Sequence, residues 1–261
     1  MHPVIYNFGP VAIHSYGLML GIAFIIGILL AVKLGQKNGI EPDHIVNLGI
    51  FILIAAVIGS RAFYIIENLD EFKGELSQIF KFWSGGFVFY GGFIAAILIS
   101  YLYCYKTKIS FFIIADSMSP SIAIGLVLAR IGCFLGGCCF GKPTNCFLTV
   151  TFPPNSPPAY AFGPDHHIHP VQLYGSVAGL ILFIILIWLT KRKKFNGQVF
   201  WVLLILYPIL RIILESFREH VDRALFLGFS FSQLISPLII LAGIMGYIFT
   251  QKKSSKKIYN F

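Results

Sequence analysis

The stretch ARIGCFLGGCCFG, residues 129–141, closes an apolar run with an arginine, four glycines and three cysteines. An arginine inside a membrane segment costs on the order of 2.5–3.5 kcal/mol on insertion scales, so Arg130 needs an aqueous cavity, an anionic partner or a route to the headgroups. Two readings stay open here. In one, the glycines turn the backbone sharply and bring it close to a ligand beside Arg130. In the other, Arg130 snorkels to a headgroup while Gly132, Gly136 and Gly137 serve helix packing.

Outward from that stretch, composition decides the class. Hydrophobic residues make up 57% of the chain and charged residues 12%, with a mean hydropathy of +0.79. Polar residues are too few to cover a soluble domain of 261 residues, so this is an integral membrane protein. The net charge of +9 sits in short blocks between apolar runs, where it sets topology, and no nucleic-acid partner is expected.

Apolar runs at 13–32, 45–66, 83–105, 111–134, 171–189, 199–217 and 231–249 each approach the length of about 20 residues that spans a bilayer. The fold class read from them is an all-α polytopic membrane protein, with seven transmembrane helices and a small extracytoplasmic cap. Residues 1–261 read as one membrane domain and 135–169 as the cap between spans four and five. Within the cap, CFLTVTF (146–152) alternates like a short strand and PPNSPP (153–158) reads as irregular. The acidic segment 67–75 reads as a loop, followed by an interfacial amphipathic helix over 76–83. No Lys or Arg precedes the first apolar run, so the amino terminus is expected to stay in the mature protein.

Twelve of the 20 Lys and Arg residues follow spans one, three, five and seven. By the positive-inside rule those loops are cytoplasmic, as is the carboxyl terminus. The amino terminus, 67–83, the cap and 219–228 then face outward.

A second charged constellation lies in the sixth span. Tyr207, Arg211 and Glu215 are spaced by four, with Arg218 three further on, so they share a helical face. Either Arg211 and Glu215 form an ion pair that seals the bundle, or Arg211 and Arg130 hold a phosphate while Glu215 orients one of them. The glycine pairs around Tyr90, including Gly91 and Gly92, allow close approach of a helix or a ligand. His166, His167 and His169 have no acidic or thiol residue to complete a metal pattern, and CFLGGCC lacks the paired CxxC of a zinc ribbon. No metal or cofactor is therefore expected, and the cysteines read as structural thiols or a disulfide. Absence of CxxC also argues against a membrane thiol oxidoreductase.

Five stretches together carry a family resemblance: HPVIYNFGPVAIHSYGL (2–18), GGFVFYGG (85–92), RIGCFLGGCCFG (130–141), HPVQLY (169–174) and YPILRIILESFRE (207–219). Along essentially its whole length the chain resembles the prolipoprotein diacylglyceryl transferases of bacterial inner membranes. The resemblance implies seven spans with the amino terminus outside. It also implies transfer of diacylglyceryl from phosphatidylglycerol to the lipobox cysteine thiol of a prolipoprotein signal peptide, with glycerol phosphate leaving. Family positions fall on Tyr16, Arg130, Gly141, Tyr207, Arg211 and Glu215. Elsewhere the family's histidine is Tyr90, its asparagine Cys133, its glutamate Cys138, and the acidic residue after HPVQLY is Gly175.

A tyrosine with a pKa of about 10 is a poor base at neutral pH, so His169 or His14 is the expected proton acceptor, with Tyr90 or a water molecule as alternatives. The catalytic candidates are Arg130, Arg211, Glu215, Tyr90 and His169. The substrate-binding candidates are Tyr16, His14, Gly91, Gly92, Gly132, Gly141, Tyr207 and Arg218. A non-enzymatic lipid-binding or transport paralogue that keeps the arginine pocket is the alternative function. In either case the partners include membrane lipid.

Overall fold

A computed structural model describes residues 1–8, 11–72, 76–81, 85–163, 165–219 and 230–259. Two strands, β1 (Val4–Phe8) and β2 (Val11–His14), precede nine α-helices among these residues. The helices are α1 (Ser15–Gln36), α2 (Pro42–Glu67), α3 (Leu69–Phe72), α4 (Phe89–Thr107), α5 (Phe111–Gly136), α6 (Pro157–Phe162), α7 (Val171–Thr190), α8 (Gln198–Ser216) and α9 (Phe231–Tyr259). Seven of them, all but α3 and α6, are long and apolar enough to cross a membrane, so the protein is a multi-pass, mostly helical membrane protein. Large apolar side chains such as Leu29, Val177, Ile184 and Trp188 stay exposed on these helices, as expected where the surrounding solvent is lipid.

The chain forms two compact units, 1–31 with 115–261 and 32–114. In the first, Ala123 of α5, Leu182 and Leu186 of α7, and Val199 and Leu203 of α8 form a buried apolar cluster. Small residues set the helix spacing. A Cβ on Gly179 would stand 3.2 Å from Val127 of α5, and one on Gly246 of α9 would meet the Trp201 ring of α8.

Asp116, fully buried near the start of α5, fixes the start of α8. Its carboxylate accepts from the backbone N–H groups of Gly197 (2.9 Å) and Phe200 (3.0 Å) and pairs with Lys193 Nζ at 3.2 Å. Those N–H groups have no partner within α8 itself, and the positive end of a helix favours a carboxylate.

The strands β1 and β2, where no strand is expected from the sequence, form an antiparallel pair. Its Val4 lies opposite His14, and Ser15 ties it to α1 by donating its N–H to Pro3 O at 3.0 Å. In the cap the expected strand over 146–152 does not form. Within that stretch only Val150 bridges, to Ile168, and the neighbours Phe147 and Leu148 are both exposed. Nor is 153–158 wholly irregular, because Ser156 caps α6 by accepting from Ala159 N, and prolines suit the first helical turn.

In the second unit α2 packs on α4 at glycine contacts. A Cβ on Gly59 would stand 2.6 Å from Gly91 O, and one on Gly92 would stand 2.8 Å from Ala56 O. The expected amphipathic helix reduces to a 3-10 turn over Leu76–Phe80, and Trp83 lies outside the described residues. The third spanning helix starts at Phe89 rather than at 83, since Gly85 (φ 81°) and Gly86 (φ 74°) take left-handed conformations that precede it. Beyond the last membrane span, α9 continues into the polar tail to Tyr259. Of the expected outer loop 219–228, only Glu219 lies within the described residues.

Candidate active site

A cavity between α5, α7 and α8 has Arg130, Tyr207 and Arg211 as its polar lining and leucines such as Leu126 and Leu214 around them. Arg130 lies along α7 at Gly175, where a Cβ would stand 3.2 Å from its Cδ. The bare glycine makes room for that arginine. Among the described residues the Arg130 guanidinium makes no hydrogen bond or ion pair, although it has five N–H donors to satisfy.

Arg211 is held differently. Its Nη2 forms an ion pair with Glu215 Oε2 at 2.7 Å, one helical turn away, and Glu215 is fully buried. Arg218 Nη1 lies 3.7 Å from the other carboxylate oxygen, so Glu215 stands between two arginines. Among the described residues the Arg130, Arg211 and Arg218 guanidiniums lie around the Glu215 carboxylate and the cavity.

Behind Arg218 lies a short backbone pairing. Lys142 N donates to Phe217 O at 3.0 Å and Glu219 N to Phe140 O at 3.1 Å, with Gly141 bridged to Arg218. Gly141 is needed for packing there, because a Cβ would stand 2.7 Å from both His169 Cβ and Val171 Cγ2. His169 Nδ1 lies 3.3 Å from Tyr174 Oη, whose own O–H donates to Leu148 O at 3.2 Å, and the imidazole packs edge-on to the Phe217 ring at 5.3 Å. Its Nε2 makes no hydrogen bond among the described residues. Tyr16, at the start of α1, lies against Gly132, whose Cβ would stand 3.3 Å from Tyr16 Cα. His14 is exposed at the end of β2.

The cysteines converge where the spacing gave no pattern. All five are free thiols, and the sulfurs of Cys133, Cys138 and Cys139 lie within 4.8 Å of one another. Gly137 (φ 71°) and Cys139 (φ 57°) turn the chain back over the end of α5. Arg218 Nη2 donates to Cys139 Sγ at 3.3 Å, and Gln172 Nε2 donates to Cys138 O at 2.9 Å. Hydrogen bonds with the Cys133 and Cys138 thiols hold the Cys139 thiol below its ordinary range against the effect of burial, and Arg218 adds to this. The same contacts with Cys133 and Cys139, together with burial, push Cys138 up. Gln172 was not singled out from sequence; its only signal was a polar residue among apolar neighbours in HPVQLY.

In the second unit, Gly91 and Gly92 are buried against α2, in the packing role described above. Tyr90 is 39% exposed and meets the Phe89 ring edge-on at 5.7 Å.

The family profile described as prolipoprotein diacylglyceryl transferase matches residues 3–249. The chain belongs to the prolipoprotein diacylglyceryl transferase family. Similar relatives include the phosphatidylglycerol–prolipoprotein diacylglyceryl transferase of Clostridium tetani, 35% identical over 94% of this chain and 96% of that protein. The enzyme of the same description from Finegoldia magna is 33% identical over 98% of each chain, and that from Bordetella bronchiseptica is 32% identical over 97% of each. Within the family resemblance, Arg130, Tyr207 and Arg211 meet at one cavity and Glu215 supports Arg211. Three of the four departures from the family pattern also lie close to this region: Cys133 and Cys138 in the sulfur trio, and Gly175 against Arg130.

Proposed function

We propose that this protein transfers the diacylglyceryl group of phosphatidylglycerol to the lipobox cysteine thiol of prolipoproteins and releases glycerol phosphate. The observation that carries the reading is the meeting of Arg130 and Arg211 at one cavity in a chain of this family. In the reaction the cysteine sulfur attacks the terminal glyceryl carbon, an S–C bond forms, and the C–O bond to phosphate breaks with its electron pair leaving on the phosphate. Arg130 and Arg211 bind the phosphate and hold the charge that grows on it, a task that planar guanidiniums perform with paired hydrogen bonds.

Glu215 fixes the Arg211 fork and thereby its direction of donation. Tyr207 lines the same cavity, and the apolar remainder excludes water that would compete with the thiol. His169, with Nε2 free, is the residue that takes up the thiol proton. Positive-charge asymmetry supports an inner-membrane orientation with the amino terminus and the cap 135–169 extracytoplasmic and the carboxyl terminus cytoplasmic. That places the cavity end of α8 near the leaflet where exported prolipoproteins present their cysteine.

The experiment is direct. Purified protein is incubated with phosphatidylglycerol and a lipobox peptide, beside the same peptide with serine for cysteine. The expected result is a diacylglyceryl mass gain on the cysteine peptide alone, with glycerol phosphate released. An unmodified peptide beside retained phosphatidylglycerol would instead support the lipid-binding alternative.

A further inference from the structure

We propose that Cys133, Cys138 and Cys139 form a three-thiolate site for a zinc ion, whose fourth position takes the lipobox thiol as a thiolate; this role rests on the transfer reaction above. The three sulfurs already lie within 4.8 Å of one another. Tetrahedral zinc with Zn–S bonds of about 2.3 Å needs sulfurs about 3.8 Å apart, a closure that rotation of one or two cysteine side chains supplies. Among the described residues no His, Asp, Glu or fourth Cys joins the group, so the protein supplies three ligands and leaves one position open. Three protein ligands with one open position is the arrangement of catalytic rather than structural zinc.

Two further observations point to the trio as a built site. Cys139 is a non-glycine residue at φ 57°, a conformation of the kind that persists where the surroundings impose it and that clusters at functional sites. Around the trio, Arg218 donates to Cys139 Sγ and Gln172 fixes the Cys138 carbonyl, as outer partners orient metal ligands elsewhere. Arg218 Nε and Gln172 Oε1 are both buried and make no hydrogen bond among the described residues, which leaves one donor and one acceptor beside the cluster. The guanidinium also offsets the negative charge of several thiolates on one divalent ion.

An all-sulfur tetrahedron selects zinc or iron, and zinc, having no redox chemistry, leaves a bound thiolate as a nucleophile. Metal coordination removes the proton from a thiol outright, which a tyrosine at position 90 does poorly. In the step itself, the Zn–O bond to a water breaks and a Zn–S bond to the incoming thiol forms. The thiol proton leaves with that water and passes to His169 Nε2 or to solvent. The metal-held sulfur then forms its bond to the glyceryl carbon as the C–O bond to phosphate breaks. The leaving charge falls on the phosphate between Arg130 and Arg211, and the thioether product, a weak ligand, yields to water. Contacts link the two halves of the reaction: Cys139 to Arg218, Arg218 to Glu215, and Glu215 to Arg211. Spacing along the chain gave no metal pattern because it does not register the turn at Gly137.

The test uses the full-length reduced protein in detergent, stripped with a chelator and titrated with cobalt(II). The expected result is a sulfur-to-cobalt charge-transfer band that saturates at about one cobalt per chain, is displaced by zinc, and responds to the lipobox peptide thiol but not to its serine form. Cys133→Ser and Cys139→Ser should lose the band, whereas Cys146→Ser, at an exposed cysteine, should keep it. No band in the wild-type protein, or a band that survives both substitutions, overturns the site. A disulfide among the three, found as two missing thiols in the freshly isolated protein together with no cobalt band after reduction, overturns it equally. For the role, stripping should lower transfer by about tenfold or more and zinc should restore it. Full transfer by metal-free protein overturns thiol activation while the transfer reaction stands. A thiol-responsive cobalt site without transfer in any metal state overturns the transfer reaction and leaves the site in place.

Discussion

Arg61 in α2 and Arg130 in α5 are both arginines set in apolar spanning helices, and their donors go to different places. Arg61 is 4% exposed and donates to Gln78 O (2.6 Å), Gly85 O (2.6 Å), Gly86 O (3.2 Å) and Ile79 O (3.3 Å), with the Tyr64 and Phe72 rings over its guanidinium. Arg130 donates to nothing among the described residues and lines a cavity with Arg211, whose one strong partner is Glu215. Both sit in apolar spanning helices, where an unpaired guanidinium is costly, although only Arg61 is buried within the protein. At Arg61 the backbone of the following segment offsets that cost, so the residue is a structural clasp within its unit. At Arg130 the donors stay open at a cavity that a second arginine shares, which is what the proposed phosphate site requires.

The largest effect that separates the two is on transfer. Arg130→Lys and Arg211→Lys should each lower transfer by roughly 10²-fold or more, a barrier rise of about 2.7 kcal/mol, in protein that melts normally. Transfer rates and melting temperatures measured on the same samples check this. The double substitution should cost less than the sum, because both residues serve one developing charge. Either lysine variant working at near-normal rate would remove that arginine from the phosphate site.

Arg61→Ala should do the reverse. It takes the guanidinium donors away from the half-buried carbonyls of Ile79, Gly85 and Gly86, at about 1–3 kcal/mol for each that water cannot reach, so thermal stability and yield should fall. Transfer per folded molecule should stay within about twofold. Should transfer collapse in well-folded Arg61→Ala, the contrast between clasp and clamp would break.

Next comes the helix contact in the same unit. Gly59→Ala adds a Cβ that would stand 2.6 Å from Gly91 O and 2.5 Å from Ala95 Cβ, an overpacking of about 1–3 kcal/mol. Calorimetry or thermal-shift melting should show it as a lower transition. An unchanged transition would mean that α2 and α4 separate more easily than their glycine contact implies.

Smallest is Glu215→Gln, which keeps a carbonyl acceptor for Arg211 but removes the charge. Transfer should fall by several-fold, about 1 kcal/mol in the barrier, if Glu215 only directs the guanidinium. A loss as large as that of Arg211→Lys would make Glu215 a participant in the chemistry.

The spanning helices were legible because runs of apolar residues of bilayer length have no other stable placement, and their ends moved by only a few residues except at Gly85–Gly86 and in the tail of α9. The Arg211–Glu215 pair was legible for a similar reason: spacing by four on a helix fixes which side chains meet. What escaped depends on backbone turns between distant residues. The Arg61 clasp needs carbonyls 17 to 25 residues further along the chain, two of them on glycines in left-handed conformations. The sulfur trio needs the turn through Gly137 and Cys139, which a count of spacings reads only as the absence of CxxC. Alternation at 146–152 misled because a strand also needs a partner along its length, and within this stretch only Val150 bridges, to Ile168.

Retention of phosphatidylglycerol through purification, measured by native mass spectrometry, tests the phosphate site most directly. Wild-type protein and Arg61→Ala should carry the lipid, and Arg130→Lys with Arg211→Lys together should lower its occupancy by about tenfold or more at equal lipid concentration. Equal retention by the paired variant, or an equal loss in folded Arg61→Ala, would contradict the assignment of the two arginines to the lipid phosphate.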